Sequence, residues 1–250
     1  MTTTLKTALL WLVLALMMGI AYANMKRGSL AALVFVLLAF GVIVAVGWLN
    51  RRRPHLKVAN EALELFNRGR YAKALEKWQA ADQLKPGEPV TRANIGMARA
   101  HLWQLAGARE DLLAALENKQ LPAQYQPFIR AQLMAVVALE GRLDEARRHA
   151  ELLLKQQPEP LPLMVLAEAV VDLREGRTAL AHTRLRSSEI KQLQGSYAVL
   201  ANCLDAWCIK LSRNELRHVD TVALFAESSG EGLNAAWPEF AAFLSEAPQS

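Results

Sequence analysis

Ser188 and Lys191 stand at the spacing at which a lysine on a helix can activate a serine for nucleophilic attack. Serine enzymes that use this pair also carry S-D-N and K-T-G elements, and neither occurs in the 250 residues. The phosphate-binding pattern G-x-x-x-x-G-K-[ST] and the dinucleotide-binding pattern G-x-G-x-x-G are also missing from the sequence. A hydrolase that uses Ser188 and Lys191 is one hypothesis, but the sequence predicts a protein with no enzyme activity, no cofactor and no small-molecule substrate.

The spacing of cysteine and histidine predicts no metal or redox centre. Cys203 and Cys208 are five residues apart on a predicted helix, where their side chains project roughly 140° apart and cannot easily bridge. Neither belongs to a C-x-x-C pair, so we expect buried thiols in a reducing compartment. The histidines are scattered and form no H-E-x-x-H pattern; they are His55, His101, His149, His182 and His218.

Two segments near the N-terminus, 7–23 and 30–49, are almost wholly apolar. The second has about the length that a helix needs to cross ~30 Å of hydrocarbon. The first is either another span or a signal peptide that ends in Ala21-Tyr22-Ala23. The basic cluster Arg51–Arg53 follows the second segment and is expected to stay in the cytoplasm. These patterns predict a two-span protein of a bacterial inner membrane, in contact with the lipid bilayer, whose soluble domain is cytoplasmic.

The net charge of +5 comes from the N-terminal end of the chain. Residues 1–60 contain seven Lys or Arg and no Asp or Glu, which leaves 22 basic and 24 acidic residues in 61–250. A domain without a basic excess cannot neutralise the phosphates of a nucleic acid. We therefore predict no nucleic-acid binding.

A periodic helical pattern begins after the basic cluster. Its first copy has a turn glycine, aromatic and alanine residues at helical spacing, and a closing proline, namely Gly69, Tyr71, Ala74, Trp78, Ala81 and Pro86. One further period takes Ala74 to Ala108 and Trp78 to Leu112. These positions resemble the tetratricopeptide repeat, a helix-turn-helix unit of about 34 residues. The resemblance implies stacked helix pairs with a concave face that holds other proteins.

Four repeats are predicted, at 55–88, 89–122, 127–160 and 162–195. The second copy is degenerate, because Trp103 stands where the turn glycine would be. A longer loop around 118–126 separates it from the third copy, which has its turn at Gly141 and its closing proline at Pro158.

The apolar segments and the repeat pattern together divide the chain into a membrane anchor at 1–54, the repeat array at 55–195, and a C-terminal part at 196–250. The last part is predicted as a divergent helical pair, 196–211 and 215–227, with a capping helix at 237–245. Atypical terminal units are expected, because they cover the open end of a stacked core. The predicted fold class is all-α, with an N-terminal transmembrane helical hairpin followed by a tetratricopeptide-like α-solenoid.

The concave face implied by the resemblance is predicted to be apolar. A subset of the family grips chaperone C-termini with a two-carboxylate clamp, but the clamp lysine and asparagine positions are Ala59, Leu63, Ala93 and Met97 here. The predicted partner-binding residues, placed on the family's register, form an apolar strip of Leu63, Phe66, Met97, Phe128, Leu163, Leu166, Val170 and Leu173. A strip of this length needs a cover, which an amphipathic partner helix or a peptide would supply.

The predicted C-terminal helix is itself amphipathic. Trp237, Phe240 and Leu244 share one of its faces. The segment is therefore either a plug for the apolar strip or a cap on the last helix pair.

These features predict a membrane-tethered scaffold or adaptor that binds a protein partner in envelope biogenesis or in the assembly of a membrane complex. Two alternatives stay open. One is a periplasm-facing assembly factor that resembles the repeat proteins of cytochrome c maturation. The other is a structural subunit of a membrane complex.

Overall fold

The structure is a computed structural model that describes Gly41 and residues 53–157 and 159–249. The chain divides into two units, Met1–Pro54 and His55–Ser250. The helices that follow belong to the second unit, except that the first of them begins at Pro54.

The predicted membrane spans, 7–23 and 30–49, lie outside the described residues apart from Gly41. No helix among the described residues has both the length and the apolar character needed to cross a bilayer. The longest one, Gly195–Arg213, has 19 residues but carries Asp205 and Lys210 within it. On this finding the transmembrane hairpin in the predicted fold class and the predicted two-span inner-membrane localisation are wrong.

The described residues form twelve α-helices, of which the first eight make four hairpins. These hairpins are α1 (Pro54–Asn67) with α2 (Tyr71–Leu84), α3 (Pro89–His101) with α4 (Leu105–Glu117), α5 (Gln126–Leu139) with α6 (Leu143–Gln156), and α7 (Pro162–Arg174) with α8 (Thr178–Leu185). The C-terminal helices are α9 (Gly195–Arg213), α10 (Thr221–Leu224), α11 (Glu231–Ala236) and α12 (Pro238–Glu246). The described ranges contain no strand beyond one isolated bridge between Val219 and Gln249, so the all-α part of the predicted fold class is confirmed.

Two short 3₁₀ helices join these elements. Ala123–Tyr125 occupies the predicted loop between the second and third hairpins, and Ile190–Gln192 precedes α9. Pro158, the predicted closing proline of the third repeat, lies outside the described residues.

Every hairpin turns at one residue with left-handed backbone angles. In the first turn Gly69 has φ +75°, its N–H donates to the Phe66 carbonyl at 2.9 Å, and the Arg70 N–H donates to the Leu65 carbonyl at 2.9 Å. This pair of bonds is the Schellman pattern, which satisfies the last carbonyls of a helix and reverses the chain. The same pair recurs around Trp103, Gly141 and Gly176.

Trp103 takes the left-handed angles that glycine takes in the other three turns, with φ +58°. This conformation costs a residue with a Cβ atom about 1–2 kcal/mol. The Trp103 side chain is completely buried, and its Nε1–H donates to the Leu224 carbonyl at 3.0 Å. Burial of the indole and this bond to the C-terminal part offset the backbone strain.

Small residues at the repeat positions allow the helices to approach closely. Ala62 and Ala74 are completely buried beside Trp78 in the core of the first hairpin. Gly96 stands one repeat period after Ala62, and a Cβ atom there would lie 2.8 Å from Cγ of Leu112. The alanine and glycine positions of the repeat are thus required by packing between helices.

The C-terminal part differs from its prediction at 215–227, where only α10 is helical. The helix α9 ends at Arg213, and the next residue, Asn214, has φ +54° and donates its N–H to the Lys210 carbonyl. The chain then runs without helical structure to Val219, whose N–H donates to the Pro248 carbonyl at 3.0 Å. A pairing with the distant end of the chain therefore replaces the predicted helix.

The last helix is anchored by aromatic packing on α9. The rings of Trp207 and Trp237 meet edge to face, with centroids 5.1 Å apart, and Phe240 is completely buried beside them. The Arg174 guanidinium lies 4.3 Å from the centre of the Trp237 ring and donates to the carbonyls of Leu139 and Ala236. Arg174 thus connects the third hairpin, the fourth hairpin and the C-terminal segment.

Candidate partner-binding cavity

A cavity of about 540 Å³ lies between the first helix of each hairpin and the segment that leads into α9. The helices α1, α3, α5 and α7 contribute Phe66, Met97, Phe128 and Leu163, one from each hairpin. The stacking of four hairpins therefore brings together side chains that are far apart in the sequence.

Four of the eight predicted partner-binding residues line this cavity, and they differ in exposure. Phe128 is 61% exposed, whereas Phe66, Met97 and Leu163 are half-buried. The rings of Phe66 and Tyr71 meet edge to face at 5.1 Å, which holds the Phe66 ring at the cavity wall. Phe128 thus stands exposed beside a half-buried apolar wall.

The other four predicted residues do not line the cavity. Leu166, Val170 and Leu173 are buried in the main core, because α7 packs against both α5 and α8 and so has little free surface. Leu63 is 46% exposed on α1 but lies away from the cavity. Three side chains that the repeat resemblance placed on the concave face are therefore part of the core.

The far wall of the cavity comes from residues that the repeat pattern did not indicate. Gln192, Leu193, Gln194 and Gly195 precede or begin α9, and Tyr197 lies in its first turn. Residues 192–195 fall at the end of the predicted fourth repeat, 162–195, but none of them was among the predicted partner-binding residues. Their place beside the first hairpin depends on contacts between distant parts of the chain, which a local pattern cannot reveal.

A buried polar cluster joins the start of α9 to the first two hairpins. The His101 ring stacks on Tyr71 with centroids 4.3 Å apart, and its Nδ1 lies 2.7 Å from the Ser196 hydroxyl oxygen. The Tyr197 hydroxyl donates to the Gln132 side-chain oxygen at 3.1 Å. These contacts connect the start of α9 to helices α3 and α5 at this end of the cavity.

The titratable groups of this cluster are neutral at physiological pH. Burial lowers the pKa of His101 to about 3, since a buried imidazolium would lose its hydration. Burial likewise raises the pKa of Tyr71 and of Tyr197. The polar end of the cavity therefore offers hydrogen bonds but no charge.

The other candidate sites from the sequence are not assembled. Ser188 lies in a turn and Lys191 in a 3₁₀ helix, both exposed, so the pair does not share one turn of an α-helix. Cys203 and Cys208 are free, buried thiols, and burial raises the pKa of Cys203 to about 11 and that of Cys208 to about 12. Within the described ranges, no group of three or more His, Cys, Asp or Glu residues could hold a metal ion.

The C-terminal segment does not plug the cavity. None of residues 221–249 lines it, and Trp237, Phe240 and Leu244 are buried elsewhere, the first two against Trp207 of α9. The segment therefore does not act as the predicted plug, and its role as a cap stays a prediction.

No family model matches the chain, and no curated protein matches it either. A crystal structure of PilW, a widely conserved type IV pilus biogenesis factor, is similar over 93% of this chain and 98% of that chain, with a TM-score of 0.49 and 17% sequence identity. At this degree of similarity neither function nor site residues are transferred from PilW.

Proposed function

We propose that this chain is a non-enzymatic adaptor that binds a segment of another protein, a helix or a peptide, in the cavity between its hairpins. The observation that carries the proposal is the apolar wall that four successive hairpins build from Phe66, Met97, Phe128 and Leu163. Phe128 stands 61% exposed at this wall, so a partner could cover it without any rearrangement of the fold.

The size of the cavity limits what can enter. A volume of about 540 Å³ falls within the roughly 300–1,000 Å³ range of sites that enclose compact ligands. A complete helix does not fit in this space, but a few side chains on one face of a helix or on an extended peptide do. Burial of such side chains would contribute about 25 cal/mol per Å² of apolar surface.

Photo-crosslinking tests the proposal directly. We replace Phe128 with photoreactive p-benzoylphenylalanine in the full chain, irradiate cells, and identify the crosslinked protein by mass spectrometry. We expect a discrete adduct that disappears when Leu163→Glu is added, because a carboxylate in the apolar wall would be left without a partner.

Leu154 provides the matched control, since it is 52% exposed and lies on α6 outside the cavity. The same replacement at Leu154 should not give the adduct. An identical adduct from both positions, or an adduct that is indifferent to Leu163→Glu in a variant that melts normally, would refute the proposal.

A further inference from the structure

The cavity walls carry no formal charge. Among the described residues, seventeen line the cavity, and none of them is Asp, Glu, Lys or Arg. These four types make up 21% of the sequence, so about three or four would be expected among seventeen residues. His101, the lining residue with a basic ring, is neutral because burial lowers its pKa to about 3. The absence of charge thus distinguishes the cavity from the rest of the domain.

Polar groups are nevertheless present in the form of side-chain amides. Asn67, Gln132, Gln192 and Gln194 all line the cavity, and each amide can both donate and accept hydrogen bonds. Asn67, Gln192 and Gln194 are exposed, and in the described part of the chain their side chains make no hydrogen bond. They are therefore available to neutral polar groups of a ligand, such as peptide N–H and C=O groups.

From these observations we propose that the cavity takes an uncharged, internal segment of a protein chain and rejects chain termini and ionised side chains. Apolar side chains of the segment would contact Phe66, Met97, Phe128 and Leu163, and its backbone would face the free amides. The inference rests on the proposed function, and it adds the chemical class of the partner.

The physical reason is the desolvation of charge. A carboxylate or an ammonium group in this cavity would lose water without gaining an opposite charge. Both chain termini are ionised at neutral pH. A free terminus inside the cavity should therefore weaken binding by about 10- to 100-fold relative to a blocked one.

A peptide selection tests this inference with the immobilised full chain. One library displays short random segments inside a carrier protein between Gly-Ser linkers, and a second displays the same segments at the free C-terminus of the carrier. We expect segments rich in apolar residues and poor in Asp, Glu, Lys and Arg from the first library. Synthetic copies with blocked ends should bind at least tenfold more tightly than copies with a free carboxylate in the binding stretch.

A charge introduced into the wall should change the selection. Gln194→Lys places an ammonium group on the cavity wall at an exposed position, and it should enrich segments that contain Asp or Glu. Gln83→Lys is the matched control, because Gln83 is exposed on α2 and does not line the cavity. It should leave the selected sequences unchanged.

The outcomes separate this inference from the proposed function. Segments whose binding is lost with Phe128→Glu, but which carry acidic residues or a required free carboxylate, would overturn the inference and leave the adaptor function standing. A failure to select any segment that depends on Phe128 would overturn both. Sedimentation of the wild-type chain and of Phe128→Glu completes the test, since a dimer lost in the variant would overturn the inference by showing that a second copy occupies the cavity.

Discussion

Gly195 is the position where one methyl group should disturb both the fold and the cavity. It begins α9 with φ +61°, and a Cβ atom there would lie 1.9 Å from the hydroxyl oxygen of Tyr71 and 3.1 Å from its Cζ. The variant Gly195→Ala must therefore displace the Tyr71 ring or the start of α9. Tyr71 is buried but borders the cavity, so a ring displaced toward the cavity leaves its contacts with His101 and Phe66.

The size of the effect follows from what the displacement breaks. The left-handed conformation costs alanine about 1–2 kcal/mol. Movement of the Tyr71 ring weakens its stacking on His101 and its edge-to-face contact with Phe66, and such aromatic pairs contribute about 0.5–1.5 kcal/mol each. We expect Gly195→Ala to lower the free energy of unfolding by about 2–4 kcal/mol.

Gly176→Ala is the matched control, because Gly176 has φ +77° but a Cβ atom added there would have no other atom within 4 Å. Its free energy of unfolding should fall only by the cost of the left-handed conformation, about 1–2 kcal/mol. Urea unfolding of the full chain, followed by circular dichroism, gives both values. Equal losses for the two variants would refute the steric argument at Gly195.

A double variant adds a second test of the same contact. Tyr71→Phe removes the atom that lies 1.9 Å from the added methyl group but keeps the ring. Gly195→Ala should therefore be less destabilising in the Tyr71→Phe background, by about 0.5 kcal/mol or more. Strict additivity of the two changes would show that the Tyr71 hydroxyl does not oppose a side chain at 195.

Three further predictions concern other parts of the fold. Arg174→Ala should loosen the C-terminal segment by about 2 kcal/mol or more, because two carbonyls lose a charged donor and the Trp237 ring loses its cation; earlier protease cleavage of this segment would report the change. His101 has a lower pKa in the fold than when unfolded, so its contribution to the free energy of unfolding is complete above about pH 6.5. This contribution is lost as the pH falls toward 3, at up to about 1.4 kcal/mol per pH unit. In His101→Gln the free energy of unfolding should therefore depend less steeply on pH between pH 6.5 and 4. Gly69→Val and Gly141→Val should each destabilise the array by about 1 kcal/mol or more, with the larger fall in melting temperature at Gly141, where a Cβ atom would lie 3.0 Å from an Arg174 nitrogen.

The Arg174 prediction has a matched control within the chain. Arg186 is exposed at the end of α8, so Arg186→Ala should not alter the cleavage of the C-terminal segment. If the C-terminal segment of Arg174→Ala resists protease cleavage as well as that of the wild type, Arg174 does not anchor this segment. A pH dependence that is unchanged in His101→Gln would assign the acid sensitivity to other groups, such as the half-buried His149, whose pKa is also lowered by burial. Unaltered melting of both valine variants would contradict the turn assignments.

Much of the hairpin structure could be predicted from the sequence because its determinants are local. The helices around Ala74 and Trp78 follow from apolar residues at helical spacing, and the turns at Gly69 and Gly141 require a residue that adopts left-handed angles without strain. The same residue types recur one repeat period later along the chain, so neighbouring hairpins stack in the same way. Half of the predicted partner-binding residues were found at the cavity for this reason.

Tertiary structure decided the features that depend on distant contacts. The burial of Leu166, Val170 and Leu173 results from α5 and α8 packing on both sides of α7, which no period within α7 could show. The polar wall around Gln194 and Tyr197 depends on α9 returning to His101, which lies far earlier in the chain. Sequence periodicity records which face of a helix is apolar, whereas the fold decides whether that face meets the core, the cavity or solvent.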